Sequence, residues 1–415
     1  MLFGRSLRFV IGLLVLTVGR YYVQAQTLEM YLATARTNNP VAVENENQAA
    51  LAGLELQKTN AALKLPEISA TGNFLYAPVV QNVGYDLSIT NGALYSAQLN
   101  VNQPLFSRRQ VETQETNTRI NQAVYRQQTA LSQRELARQV TEQYILTWQN
   151  QELAANTQRV LDILIEQEKV IRAFAENAIL AQSDVLLFTI EKENQQLALL
   201  DIRTAYRQGL AALNLLCGVV DSNFVVLQQP EIPLQAAIPD KSGFLVSYQL
   251  DSLLAASNQE LWDLKYRPQV AAFANGGLNA IQLKDIYKKF GFSVGVNFSI
   301  TLYDGHQRDL SRQQMELSQQ TSRTQRDFQA NQVEQQRLIA LQQIDLLDAR
   351  MEAARKQLED YEILLRSYRD RIAQGELSVN DYINVIKSFA AAQGALTFME
   401  TTRLLWVNNY NYWNW

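Results

Sequence analysis

The chain has 415 residues, one cysteine, one histidine and a formal net charge of −4. A single cysteine excludes an internal disulfide framework, and a single histidine leaves no His/Cys metal cluster to propose. Arg5, Arg8 and Arg20 precede the first acid, Glu29, so the chain without its first 25 residues carries −7. That balance argues against a nucleic-acid partner, which needs a basic face.

Residues 1–25 read as a secretory signal peptide: Arg5 and Arg8 at the start, an uncharged apolar run from Val10 to Val18, and small residues at Val23-Gln24-Ala25. No later stretch approaches the ~20 apolar residues of a membrane helix, so any membrane span has to be a β-barrel. Cys217 is far from the mature start, which leaves no lipoprotein anchor.

Thr27 to Thr37 is a short amphipathic helix, broken by Asn38-Asn39-Pro40, and Val41 to Leu65 is a second, ended by Pro66. The period then becomes two. Ile68, Ala70, Gly72, Phe74 and Tyr76 alternate with Glu67, Ser69, Thr71 and Asn73, and after a loop at 79–92 Tyr95, Ala97, Leu99 and Val101 alternate with Ser96, Gln98 and Asn100. Two such strands across one loop make a hairpin at about 67–103. From Leu105 to Gln208 there is no glycine or proline. A long helix at about 107–177 is expected, with a thin apolar seam that includes Leu136, Val140, Tyr144, Leu161, Leu164 and Ile171. A turn and a return helix at about 184–217 follow.

The order then repeats. After a proline-containing connector, Phe244 to Arg267 reads as helix, and a strand begins at Val270. Residues 279–289 read as a polar loop. Phe290, Phe292, Val294, Val296, Phe298 and Ile300 alternate with Gly291, Ser293, Gly295, Asn297 and Ser299 to complete a hairpin at about 269–301. A long helix at about 306–374 and a return helix at about 380–405 follow. Leu302 follows Leu105 by 197 positions (302 − 105), and Asp381 follows Asp184 by the same 197 (381 − 184). Equal offsets at both ends imply a duplication, with repeats at 26–229 and 230–415. The aromatic stretch from Trp406 to Trp415 is expected as a short strand packed at the waist.

Four half-apolar strands cannot close a membrane barrel, which takes roughly eight or more, and an open edge in lipid leaves backbone groups unpaired. Either the sheet covers a soluble core, or several chains pool their strands.

The repeated hairpin, the junctions Pro104-Leu105-Phe106 and Leu302-Tyr303-Asp304-Gly305, and the turn followed by Ser183-Asp184-Val185-Leu186 resemble those of the TolC-type outer-membrane efflux proteins. The resemblance spans nearly the whole mature chain. It implies an α+β membrane protein that forms a homotrimer. The trimer's twelve strands make one β-barrel in outer-membrane lipid and its helices make a tube across the periplasm. It also implies docking on a periplasmic adaptor and an inner-membrane pump, passive export of drugs, metals or proteins, and no cofactor.

Within the resemblance, the turns carry the adaptor contacts: Ala178, Ile179 and Leu180 in the first repeat, and Gly375, Glu376, Leu377 and Ser378 in the second. A Gly-Leu pair is usual there; Gly375 fits, whereas Ala178 holds the aligned place in repeat one. Asp184 and Asp381 match the carboxylates that narrow the tube, with Asn384 one turn on, and Leu377 replaces a basic residue that locks the aperture in some relatives. A ring of Asp381 would favour cations. Ser378-x-x-Asp381 also reads as a capping box, a purely structural use of the same acid. No phosphate loop, metal-spaced set or Ser/His pair points to an enzyme. A secreted coiled-coil scaffold without a pore is the rival reading.

Overall fold

The structure is a computed structural model, and it describes residues 26–415 except 79, 82, 84–92, 222, 239–241, 282, 373, 375 and 377. The expected signal peptide therefore lies outside the described residues.

Helix α1 (Leu28–Asn38) leads through Asn39 into α2 (Pro40–Lys64). The side chain of Asn39 accepts from the amides of Val41 and Ala42, and Pro40 occupies the first helical turn, where its missing N–H costs nothing. Strands β1 (Glu67–Tyr76) and β2 (Ala93–Pro104) follow. Then come α3 (Arg108–Glu176), 69 residues and therefore about 100 Å long, and α4 (Gln182–Leu216). The second half holds α5 (Val246–Asp263), β3 (Gln269–Ala280), β4 (Phe290–Ser299), α6 (Gln307–Ile372) and α7 (Val379–Trp413).

A full capping box starts α3: the Ser107 hydroxyl accepts from the Gln110 amide, and the Gln110 side chain takes the Ser107 N–H at 2.7 Å. The seam residues Leu136, Val140, Tyr144, Leu161, Leu164 and Ile171 are all buried. All but Leu161 divide between two apolar clusters. One, at the waist, joins α1, α3 and the end of α4. The other, near the turns, locks the α3/α4 hairpin to the α6/α7 hairpin through residues such as Leu164, Phe188, Ile372 and Ile386.

All four strands form one antiparallel sheet in chain order, with β1 and β4 at its edges. The register sorts side chains by chemistry. Phe290, Phe292, Val294, Val296 and Phe298 pair with Leu278, Gly276, Ala274, Ala272 and Val270. Beyond them on the same face stand Leu99 and Val101 of β2, then Ala70 and Ile68 of β1. The other face carries Ser293 opposite Asn275, and Asn100 donating to Thr71 at 2.9 Å. Phe273 departs from this pattern. It lies on the polar face, where its ring covers Gly295, and a Cβ on Gly295 would stand 2.5 Å from it.

Two expectations are corrected. The polar loop expected from residue 279 starts later, because Asn279 and Ala280 still pair with β2. The aromatic run at the C-terminus is not a strand: α7 continues to Trp413. Its ring-rich face packs on Phe244, whose ring lies 5.1–5.2 Å from those of Tyr412, Trp413 and Trp415. Tertiary packing at helical period overrides the strand preference of Trp and Tyr. The Asn411 side chain accepts from Gln235 N–H and donates to the Pro233 carbonyl, and Asn414 does the same with Ile238 and Ala236. Two amides one turn apart thus hold the connector along α7.

Candidate functional site: the paired turns and the strand–helix junctions

Two hairpin turns stand side by side because the apolar cluster beneath them is shared. Leu180 joins that cluster from the first turn. Ala178 adopts a left-handed conformation, φ 58°, and the Ile179 and Leu180 amides donate back to the Phe174 carbonyl. This is the backbone a glycine takes at a helix end. Ala178 is 197 positions before Gly375 (375 − 178), so repeat one keeps the shape without the usual residue. Ile179 is exposed.

The two carboxylates differ. Asp184 accepts the Ala181 N–H at 3.2 Å and so caps the start of α4. Ser378 caps α7 with its backbone only; its side chain makes no capping bond. The capping box expected at Ser378-x-x-Asp381 is therefore not formed. Asp381 is exposed and has no hydrogen bond or ion pair among the described residues, and Asn384, one turn on, is exposed as well. Glu376 closes its turn by donating its amide to the Arg371 carbonyl. Gly375 and Leu377 lie outside the described residues.

Behind the turns sit charged groups that sequence reading missed. Glu168 on α3 is buried and accepts from Lys192 (2.6 Å), Arg172 (2.9 Å) and Thr189 (3.0 Å). The Lys192 ammonium, helped by Thr189 and Arg172, holds its carboxyl below the usual glutamate range against the opposing effect of burial. Glu191 on α4, also buried, meets Lys387 of α7 at 3.0 Å. The i,i+4 spacing of Glu168 and Arg172 is readable in sequence. The partners across helices depend on the hairpin register, which is not. Burial pushes the Tyr382 hydroxyl up to about 12.

At the opposite end, Pro104 closes β2 and the Leu105 amide reaches the Val270 carbonyl at 2.8 Å, one bond beyond the strand. Leu105 is exposed and Phe106 half-buried. Leu302 and Tyr303 are 89% and 77% exposed, too apolar for a surface meant for water alone. Gly305 (φ 71°) and His306 (φ 65°) turn the chain into α6. Asp304 accepts from the Tyr266 hydroxyl and from the Arg308 amide, tying the junction to the 3₁₀ turn that follows α5.

No helix of the described residues is long and apolar enough to cross a membrane, and no group of three or more His, Cys, Asp or Glu among them could hold a metal ion. The sequence matches no family model and no curated protein. Solved structures do match the fold. The outer-membrane protein VceC from Vibrio cholerae superposes with a TM-score of 0.71 at 13% identity, covering 93% of this chain and 95% of that one. The Campylobacter jejuni CmeC outer-membrane channel gives 0.72 at 11%, covering 93% and 85%. The open-state MtrE outer-membrane channel of Neisseria gonorrhoeae gives 0.72 at 15%, covering 93% and 88%. The chain thus has the fold of the TolC-type outer-membrane efflux channels.

Proposed function

We propose that three copies of this chain form an outer-membrane exit duct that extends into the periplasm and serves a tripartite export system. The observation that carries this reading is the split sheet. Its apolar face is bare, with Phe292 85% and Val294 74% exposed, and among the described residues its two edge strands have no partner on their outer sides. Lipid satisfies the first need, and β1 of one copy pairing with β4 of the next satisfies the second. The polar face then lines the pore, and the two helical hairpins continue its wall as the halves of a duplicated unit.

In this reading the turns are the docking tips for a periplasmic adaptor that links the duct to an inner-membrane pump. Exposed Ile179, with Ala178, Leu180, Gly375, Glu376, Leu377 and Ser378, supplies that contact. Asp381, unengaged by its own helix, narrows the aperture together with Asn384, whereas Asp184 is occupied as a cap. A pore-less scaffold would leave the β4 aromatics in water, which disfavours it.

The test is fractionation and reconstitution of the full chain. A detergent-extracted trimer in the outer-membrane fraction, conducting ions in planar bilayers, is the expected result. Recovery as a detergent-free soluble monomer would refute the reading.

A further inference from the structure

We propose that the polar face of the sheet carries, at its β3–β4 hairpin end, a binding site for a small phosphate-bearing anion; the inference rests on that face lining the pore. A cavity of about 440 Å³ lies there, lined by Lys288, Lys289, Gln98, Asn275, Asn279 and Ser293 among others. A 3₁₀ turn, Ile286–Lys288, brings the two lysines to it. Most of its walls come from residues that share the polar side of the register: Asn275 opposite Ser293, and Gln98 opposite Gly277.

The charges do not cancel. Asp285 is the acid of this hairpin end, and it already holds Lys288 at 3.2 Å. Lys289 and the nearby exposed Lys284 have no carboxylate partner among the described residues, in a chain that is acidic as a whole. Ser293 Oγ donates to Asn275 Oδ1, so the Asn275 amide nitrogen is left as a donor. Ammonium groups beside carboxamide N–H groups suit a compact, multiply charged oxyanion: lysine supplies point charge and the amides supply direction. The floor is open because of Gly291, where a Cβ would meet nothing within 4 Å.

The placement on the polar face favours a soluble anion over a lipid headgroup reaching over the rim. Pyrophosphate is the probe. In bilayers of zwitterionic lipid, the reconstituted wild-type assembly is expected to be blocked by pyrophosphate added on the hairpin side and not from the helical side. In the double variant Lys288→Gln/Lys289→Gln the half-blocking concentration should rise at least about tenfold, as removal of charge-assisted bonds implies. Gly291→Leu, which fills the floor without touching a lysine, should do the same, with block in each variant read relative to that variant's own open current. Repeating the recording with phosphatidic acid in the hairpin-side leaflet separates the sources. A standing block without pyrophosphate, relieved by both variants, assigns the site to a headgroup phosphate. Absence of any block, or a block indifferent to both variants, overturns the proposal. Calorimetric titration of the detergent-solubilised protein reads the same site without a pore. Pyrophosphate heat lost in both variants supports the site even if no conductance is found, whereas no heat in wild type overturns it while leaving a conducting pore intact.

Discussion

Lys387 of α7 reaches Glu191 of α4 at 3.0 Å, and the carboxylate it meets is buried while the lysine is about half exposed. The bond joins the two helical hairpins just behind their turns. Gln195 donates to the other carboxylate oxygen at 3.1 Å, so removal of Lys387 leaves Glu191 with a neutral partner only. Lys387→Ala should cost about 1–2 kcal/mol, below the 3–5 kcal/mol of a fully buried pair, because the lysine is partly solvated. Thermal unfolding measures this. The charge-swapped double variant Glu191→Lys/Lys387→Glu should recover part of the loss, and a swap no better than the single variants would show that the pair is not coupled.

Glu168 makes stability depend on pH. Its carboxyl is held below the usual range by Lys192, so its contribution is complete above the unfolded glutamate pKa of roughly 4.3 and fades as pH falls through the depressed folded value. Lys192→Met should therefore lower stability at neutral pH by about 1–3 kcal/mol. The gap to wild type should narrow in unfolding curves recorded below about pH 4.

Ala178 holds a left-handed conformation that costs a side-chain-bearing residue about 1–2 kcal/mol. Ala178→Gly removes the steric penalty and adds back some unfolded-chain entropy, for a net gain of up to about 1 kcal/mol. Ala178→Val should lose at least as much. Chemical denaturation of the pair would reveal the difference, and equal effects of Gly and Val would contradict the backbone assignment.

Gly243 lies against the ring of Trp415: a Cβ there would come within 2.6–2.8 Å of three ring atoms. Its amide donates to the Trp415 carbonyl at 2.7 Å, so neither residue can withdraw freely. Gly243→Ala should destabilise by about 1–3 kcal/mol through overpacking. Because the clash needs the ring, the double variant Gly243→Ala/Trp415→Ala should cost less than the sum of the two single changes.

Asp381 is unengaged among the described residues and Asp184 is a cap, which separates their expected phenotypes. Asp381→Asn should lower the cation preference of single channels with little change in unfolding temperature. Asp184→Asn should shift stability by about 0.5–1 kcal/mol, the worth of an acid at a helix start, and leave selectivity alone. The reverse assignment of effects would remove Asp381 from the aperture.

The long helices were readable because no glycine or proline stands between Leu105 and Gln208, and the buried seam fell where Val140, Tyr144 and Leu164 put it. The β4 strand was readable because Phe290 to Ile300 alternate without exception. The C-terminus misled, since Trp and Tyr are strand formers by local preference and the face that makes them helical is supplied by Phe244, more than 160 residues away in sequence. Ser378 and Asp381 had the spacing of a capping box, and spacing alone does not fix the rotamers that close one. Lys192 and Lys387 find their acids only once helices are laid in register, information that no window of sequence holds.

The clamp of Asn411 and Asn414 on the connector has a mechanical corollary. Four carboxamide hydrogen bonds within one helical turn resist rotation of α7 about its own axis at that level, since any screw motion would have to shear all four together. Torsion applied at the far end of α7 has to be absorbed along the roughly thirty residues between Val379 and Asn411, as bending or coil unwinding. The waist therefore sets the rotation of α7 at its C-terminal end, and the apolar cluster near the turns holds its other end.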